Sequence, residues 1–115
     1  MQRDTLFLLS SNFEDEAYPS VRFVCPSCTF FEGLLSVFPI LLEKIEVTRI
    51  AFVRPRSELV ALVGTDNQSC PTLVLGKDSN TLNATGEFKG VSFVKGQNAI
   101  SQYLADTYNI AIEHP

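Results

Sequence analysis

Cys25-Pro26-Ser27-Cys28 places two thiols three residues apart, a spacing at which side chains share one side of a helix and can approach disulfide distance. Pro26 suits the first turn of a helix, where its missing N–H goes unused. Cys25 then stands at the helix start, facing unpaired N–H groups and the positive end of the helix dipole. Both favour thiolate over thiol, so its pKa is expected below the free value of about 8.5. Cys28, one turn further in, is expected to be more buried and to act as the resolving thiol. This division of labour suits two-electron thiol–disulfide exchange, with Cys25 as nucleophile.

The third cysteine, Cys70, directly precedes Pro71. If that peptide bond is cis, Cys70 comes within reach of the Cys25–Cys28 pair and three sulfurs surround one point. Three thiolates and one further ligand would satisfy tetrahedral zinc, and an all-sulfur site also suits an iron–sulfur cluster. The plainer reading makes Cys70 a small apolar packing residue. Other chemistry-bearing residues are plainer still. His114 lies in the chain's last two residues, where a frayed tail outweighs a ligand or base. Glu14-Asp15-Glu16 reads as a solvated acidic loop that could guard the thiols. Arg54 and Arg56 read as a surface pair at a helix start, with carboxylate binding as the sharper alternative.

These residues must be positioned by a chain of 115 residues, 45% hydrophobic, with a net charge of -4. That length suits one domain, 1–115, with a moderate core. The acidic balance opposes a nucleic-acid partner, which wants a basic face. No apolar run approaches the ~20 residues that span a bilayer, and the N-terminal apolar run Leu6–Leu9 is too short for a secretory signal. The expectation is a soluble cytoplasmic protein with no membrane or nucleic-acid partner. In a reducing compartment, a Cys-x-x-Cys pair means redox chemistry or metal ligation more often than a structural disulfide.

Thr5–Ser10 reads as a strand buried on both faces. Ser11–Val24 reads as a loop of unusual length. Its Phe13, Tyr18 and Phe23 need burial, and the nearest apolar surface is beside the cysteines, so the loop is expected to cover them in part. A helix then carries Phe30, Phe31, Leu34, Leu35 and Phe38 toward the core, until Pro39 ends or kinks it before one further turn at Leu41 and Leu42. Val47–Val53 reads as the second strand. Pro55 and Arg56 begin a short helix that Gly64 ends. Thr72–Leu75 reads as the third strand, Gly76–Gly90 as a long connection and Val91–Val94 as the fourth strand. A final amphipathic helix places Ile100, Tyr103, Leu104 and Tyr108 on one spacing. The fold class is α/β, a four-stranded mixed sheet in the order βαβαββα, with a parallel first pair and an antiparallel last pair.

Cys25-Pro26-Ser27-Cys28 opening the first helix and Cys70-Pro71 heading the third strand resemble the thioredoxin-like superfamily. From Cys70 to Ala105 the chain resembles a glutaredoxin or the N-terminal domain of a glutathione transferase. With Phe13-Glu14-Asp15 and Arg54-Pro55-Arg56, nearly the whole chain resembles a bacterial thioredoxin-like family of unknown function. The resemblance implies a cis Pro71 packed against the Cys-x-x-Cys, and backbone at Cys70 and Pro71 that holds an extended peptide or cysteinyl group. The position matching the glutamyl clamp of the transferases holds Gly96-Gln97 in place of a Glu-Ser pair. Transferase activity is therefore not expected, and glutathione affinity is expected to be weak.

The function expected from these residues is thiol–disulfide oxidoreduction or redox response. Catalysis falls to Cys25 and Cys28, substrate binding to Cys70 and Pro71, and no cofactor or resident metal is required. The partner is a thiol or disulfide substrate, either protein or low-molecular-weight. The alternatives are a non-enzymatic binding or assembly domain and a metal- or cluster-binding domain using Cys25, Cys28 and Cys70. The sequence leaves the oligomeric state open.

Overall fold

The computed structural model of the chain describes residues 2–115. Its elements are β1 (Thr5–Leu9), β2 (Phe13–Glu14), β3 (Arg22–Phe23), α1 (Pro26–Val37), α2 (Leu41–Lys44), β4 (Glu46–Ile50), α3 (Ser57–Val63), a 3₁₀ turn (Thr65–Asn67), β5 (Thr72–Val74), β6 (Gly86–Phe88), β7 (Val91–Lys95) and α4 (Gln97–Tyr108). Five strands form one mixed sheet in the order β4-β1-β5-β7-β6, and β2 and β3 form a separate two-stranded ribbon.

All five β1 residues are buried, as an apolar run covered on both faces requires. The strand pairs in parallel with β4, Thr5 opposite Glu46 and Leu9 opposite Ile50, and antiparallel with β5, Leu6 opposite Leu73. β7 pairs antiparallel with β5, Leu73 opposite Val94. Helix α1 buries Cys28, Phe31 and Leu35, while Phe30, Leu34 and Phe38 pack on the core half-buried. It stops at Val37, and α2 supplies the further turn expected beyond Pro39. α3 buries Leu59 and Val63, and α4 buries Ile100, Ser101, Tyr103 and Leu104.

The structure departs from the sequence reading at several elements. The sheet has five strands rather than four, because Gly86–Phe88, read as connection, pairs with β7. This three-residue edge strand, with Glu87 exposed between half-buried Gly86 and Phe88, is joined to β7 by a tight turn at Lys89 and Gly90, both at positive φ. The Ser11–Val24 loop contains the β2–β3 ribbon, pairing Phe13 with Phe23 and Glu14 with Arg22. Its turns use Asn12 and Ser20 at positive φ, without the glycine that usually signals such a turn. β4 ends at Ile50 rather than Val53. α3 starts at Ser57 rather than Pro55, and ends at Gly64 as expected. Gly64 has φ +86, and the Phe88 ring packs against its α-carbon.

The entry to β1 is held by a buried carboxylate. Asp4 is 2% exposed and accepts hydrogen bonds from Tyr103 Oη at 2.7 Å, Tyr108 Oη at 2.6 Å and the Gly76 N–H at 2.8 Å. The Ser79 hydroxyl donates to it as well. A single side chain thereby joins β1, the segment after β5 and α4. Gly76 allows the close approach: a Cβ there would fall 2.6 Å from the Gln2 carbonyl oxygen. Burial is the strongest influence on Asp4 and alone would raise its pKa, but the four hydrogen bonds outweigh it and hold the pKa below 3.8. The same contacts work against the phenols: burial first, then the bond to Asp4, pushes Tyr103 up to about 12, and Tyr108 rises for the same reasons. Among the described residues, no helix is long and apolar enough to cross a membrane.

Asp4→Ala is expected to lower stability by about 3 kcal/mol, because it leaves buried phenol and amide donors unpaired. A carboxyl whose folded pKa is depressed contributes stability that is present above its unfolded pKa and is lost as the pH falls through the folded value. Denaturant unfolding below pH 3.8 should therefore show wild-type stability falling with pH, and the Asp4→Ala curve should be flatter over that window. Parallel curves would contradict the assigned role.

Candidate functional site

The exit of β1 leads to the cysteines. Cys25 is the N-cap of α1, with extended backbone at φ -75 and ψ 119, and Pro26 occupies the first helical turn. The Cys28 N–H donates to Cys25 Sγ at 3.2 Å. A sulfur thus takes the place that a serine or aspartate oxygen takes in an ordinary helix cap, satisfying one of the N–H groups the helix start leaves open. Cys28 is 2% exposed, and its Sγ accepts the Leu9 N–H at 3.4 Å. The first helix is thus tied to the last residue of β1 through sulfur.

Cys70 meets the pair from the head of β5. The Cys70–Pro71 peptide is cis, as expected, and Cys25 Sγ–H points at the Cys70 carbonyl oxygen at 4.0 Å. All three cysteines are free thiols; Cys28 is buried and the other two are half-buried. Among the described residues, no three Cys, His, Asp or Glu side chains are arranged to hold a metal ion.

The three sulfurs are not equivalent. Burial, then the hydrogen bond with Cys25 and the charges of Cys25 and Cys70, push the Cys28 thiol up to about 12, against a partial offset from the Leu9 N–H. Burial pushes Cys70 up to about 11, although the Arg56 guanidinium pulls it down. Both are therefore held as thiols at neutral pH.

Arg56 corrects the sequence reading. It is 8% exposed, not half of a surface pair; Arg54 is exposed. The Arg56 guanidinium donates from Nε at 3.0 Å and Nη2 at 2.6 Å to the Phe52 carbonyl, and from Nη1 at 2.8 Å to the Gln68 carbonyl. The side-chain oxygen of Gln68 accepts the Arg56 N–H at 2.8 Å. Burial lowers the Arg56 pKa, and the nearby Cys70, Cys28 and Cys25 sulfurs work against that drop. Among the described residues no carboxylate pairs with Arg56 or Arg54; the ion pairs are Arg3–Glu46, Arg22–Glu14 and Arg49–Glu32. A buried arginine beside three cysteines has only one trace in the sequence, the Arg-Pro-Arg turn after β4.

The ribbon leans on this same turn. Phe13 stacks on Phe52 with ring centroids 4.5 Å apart and planes 8° from parallel, and Phe13 and Tyr18 each pack against Phe23. The burial expected for Phe13 and Phe23 is partial, and Tyr18 is 60% exposed. Between the ribbon and the turn lies a cleft of about 850 Å³, lined by Glu14–Glu16 and Tyr18–Ser20 on one side and by Phe52–Arg54 and Arg56 on the other. Gln97 lies apart from this cleft, bonded to Glu113 at 3.3 Å. His114 is exposed near the terminus.

Residues 3–112 match the model of the family described as "Protein of unknown function (DUF3088)". The chain belongs to that family. No curated protein and no solved structure matches it.

Alkylation with iodoacetamide at neutral pH, mapped by peptide mass spectrometry, should label Cys25 first. Cys70 labelling should climb only as the pH approaches 11 and Cys28 only toward 12, since the thiolate is the reacting form. First labelling of Cys28 or Cys70 at neutral pH would contradict the order.

Proposed function

We propose that this chain is a thioredoxin-like thiol–disulfide oxidoreductase of the cytoplasm, with Cys25 as nucleophile and Cys28 as resolving thiol. The observation that carries it is the Cys28 N–H directed at Cys25 Sγ at 3.2 Å, with the second thiol buried one turn below. The cis Cys70–Pro71 bond and the Cys70 carbonyl facing Cys25 support the resemblance. So does the parallel β1–β4 pair followed by the antiparallel β5–β7 pair.

In the forward direction the Cys25 thiolate attacks one sulfur of a substrate disulfide. That S–S bond breaks, the departing thiolate takes a proton, and a mixed disulfide remains on Cys25. Cys28 loses its proton to solvent and attacks Cys25 Sγ, forming the Cys25–Cys28 disulfide and expelling the second substrate thiol. Two electrons have passed from the dithiol to the substrate, and a dithiol reductant restores the protein. Part of the elevation of Cys28 comes from the hydrogen bond and charge of Cys25; both contributions vanish once Cys25 is in the mixed disulfide, so the second thiol ionises more readily at the step that needs it. Backbone at Cys70 and Pro71 is proposed to hold the substrate chain, and Gly96-Gln97 offers no carboxylate for the amino end of glutathione.

Substituting Cys28→Ser removes the second attack only. Treated with hydroxyethyl disulfide, that variant should accumulate a mixed disulfide at Cys25, while the wild type passes on to an internal Cys25–Cys28 bond. A mixed disulfide at Cys70, or no reaction in either protein, would overturn the assignment.

A further inference from the structure

The cleft between the ribbon and the turn after β4 has walls of opposite charge. On one side stand Arg54 and the buried Arg56, neither paired with a carboxylate among the described residues. Three of the five guanidinium N–H groups of Arg56 are taken by the Phe52 and Gln68 carbonyls, which leaves two to donate. On the other side stand Glu14, Asp15 and Glu16. Glu14 has a cation, Arg22 at 3.4 Å, and Asp15 spends one oxygen on the Ala17 N–H at 3.0 Å; no basic side chain pairs with Asp15 or Glu16 among the described residues.

A buried guanidinium without a counter-charge is costly unless something anionic completes it. An anion alone would meet the acidic wall; a cation alone would meet the arginines. A molecule carrying both a carboxylate and an ammonium satisfies both walls. Phe52 and Tyr18 give its apolar part a surface. Arg56 also links the cleft to the chemistry, since its charge acts on Cys70, whose carbonyl faces Cys25.

We infer that this cleft binds the zwitterionic end of the substrate, so that the preferred disulfides are small ones ending in an α-amino acid. This rests on the thiol–disulfide reading above and names its substrate class. The bond changes are those of that exchange, with Arg54 and Arg56 holding the carboxylate and Asp15 and Glu16 the ammonium while Cys25 attacks the disulfide.

The test compares single-turnover oxidation of the reduced protein by cystine, cystamine, dithiodiglycolate and hydroxyethyl disulfide. These are zwitterionic, cationic, anionic and neutral, and each rate is normalised to that disulfide's rate with free dithiothreitol. Cystine should exceed the neutral reagent by about tenfold or more, as one charge-assisted hydrogen bond would give. Arg54→Gln, at an exposed position, should remove most of that preference. In parallel, S-methylcysteine is titrated into Cys25→Ser protein and followed by amide NMR shifts, which need no redox step. Shifts at residues 14–20 and 52–56 support the cleft assignment even if no disulfide reacts, an outcome that sinks the oxidoreductase reading alone. Equal normalised rates for all four disulfides, with no amide shifts, overturn the zwitterion site and leave the exchange reaction standing.

Discussion

A strand with no exposed residue must be fixed at both ends, because its backbone and side chains have no water to fall back on. β1 is such a strand, buried from Thr5 to Leu9 between β4 and β5. At its entry Asp4 gathers two phenols, a hydroxyl and a backbone amide. At its exit the Leu9 N–H binds the sulfur of Cys28. The first contact fixes where α4 and the segment after β5 lie; the second fixes the register of α1 on the sheet. Cys25, one turn before Cys28 on that helix, is located by the same constraint.

The cysteine site therefore combines two environments that one sulfur could not have. Cys28 is held inside the core, where burial keeps it protonated. Cys25 sits at the helix start, half-buried, capping the Cys28 N–H. Cys28 lies three places into the helix on the same side as Cys25, and its Sγ is the one that reaches the end of β1, at the Leu9 N–H. Cys70 enters from β5, adjacent to β1 in the sheet, so all three cysteines depend on the same central strand pairing.

Much of this arrangement could be read before any coordinates. The apolar run of β1, the Pro26 helix start, the stop at Pro39 and the Gly64 helix end are local signals, each with a local cause, and each stands where expected. The Cys25–Cys28 pair and its neighbour Cys70-Pro71 were legible for the same reason. What escaped was set by pairings and contacts that residue type alone does not announce. β6 exists because β7 pairs with it. The β2–β3 ribbon turns on Asn12 and Ser20 rather than glycine. Arg56 is buried because the carbonyls of Phe52 and Gln68 converge on its guanidinium, and nothing in Arg54-Pro55-Arg56 distinguishes the buried arginine from the exposed one. Asp4, an ordinary acidic residue before a strand, gives no hint of the tyrosines that reach it from α4.

The central claim is that Cys25 and Cys28 form a reversible two-electron couple from which Cys70 stands apart. It is tested most directly by equilibrating the protein in a graded dithiothreitol redox buffer, quenching with acid, alkylating and mapping each cysteine by mass spectrometry. The account predicts a single transition in which Cys25 and Cys28 lose their labels together, joined in one disulfide, while Cys70 remains a free thiol throughout. No transition at any poise, or a disulfide that engages Cys70, would contradict it.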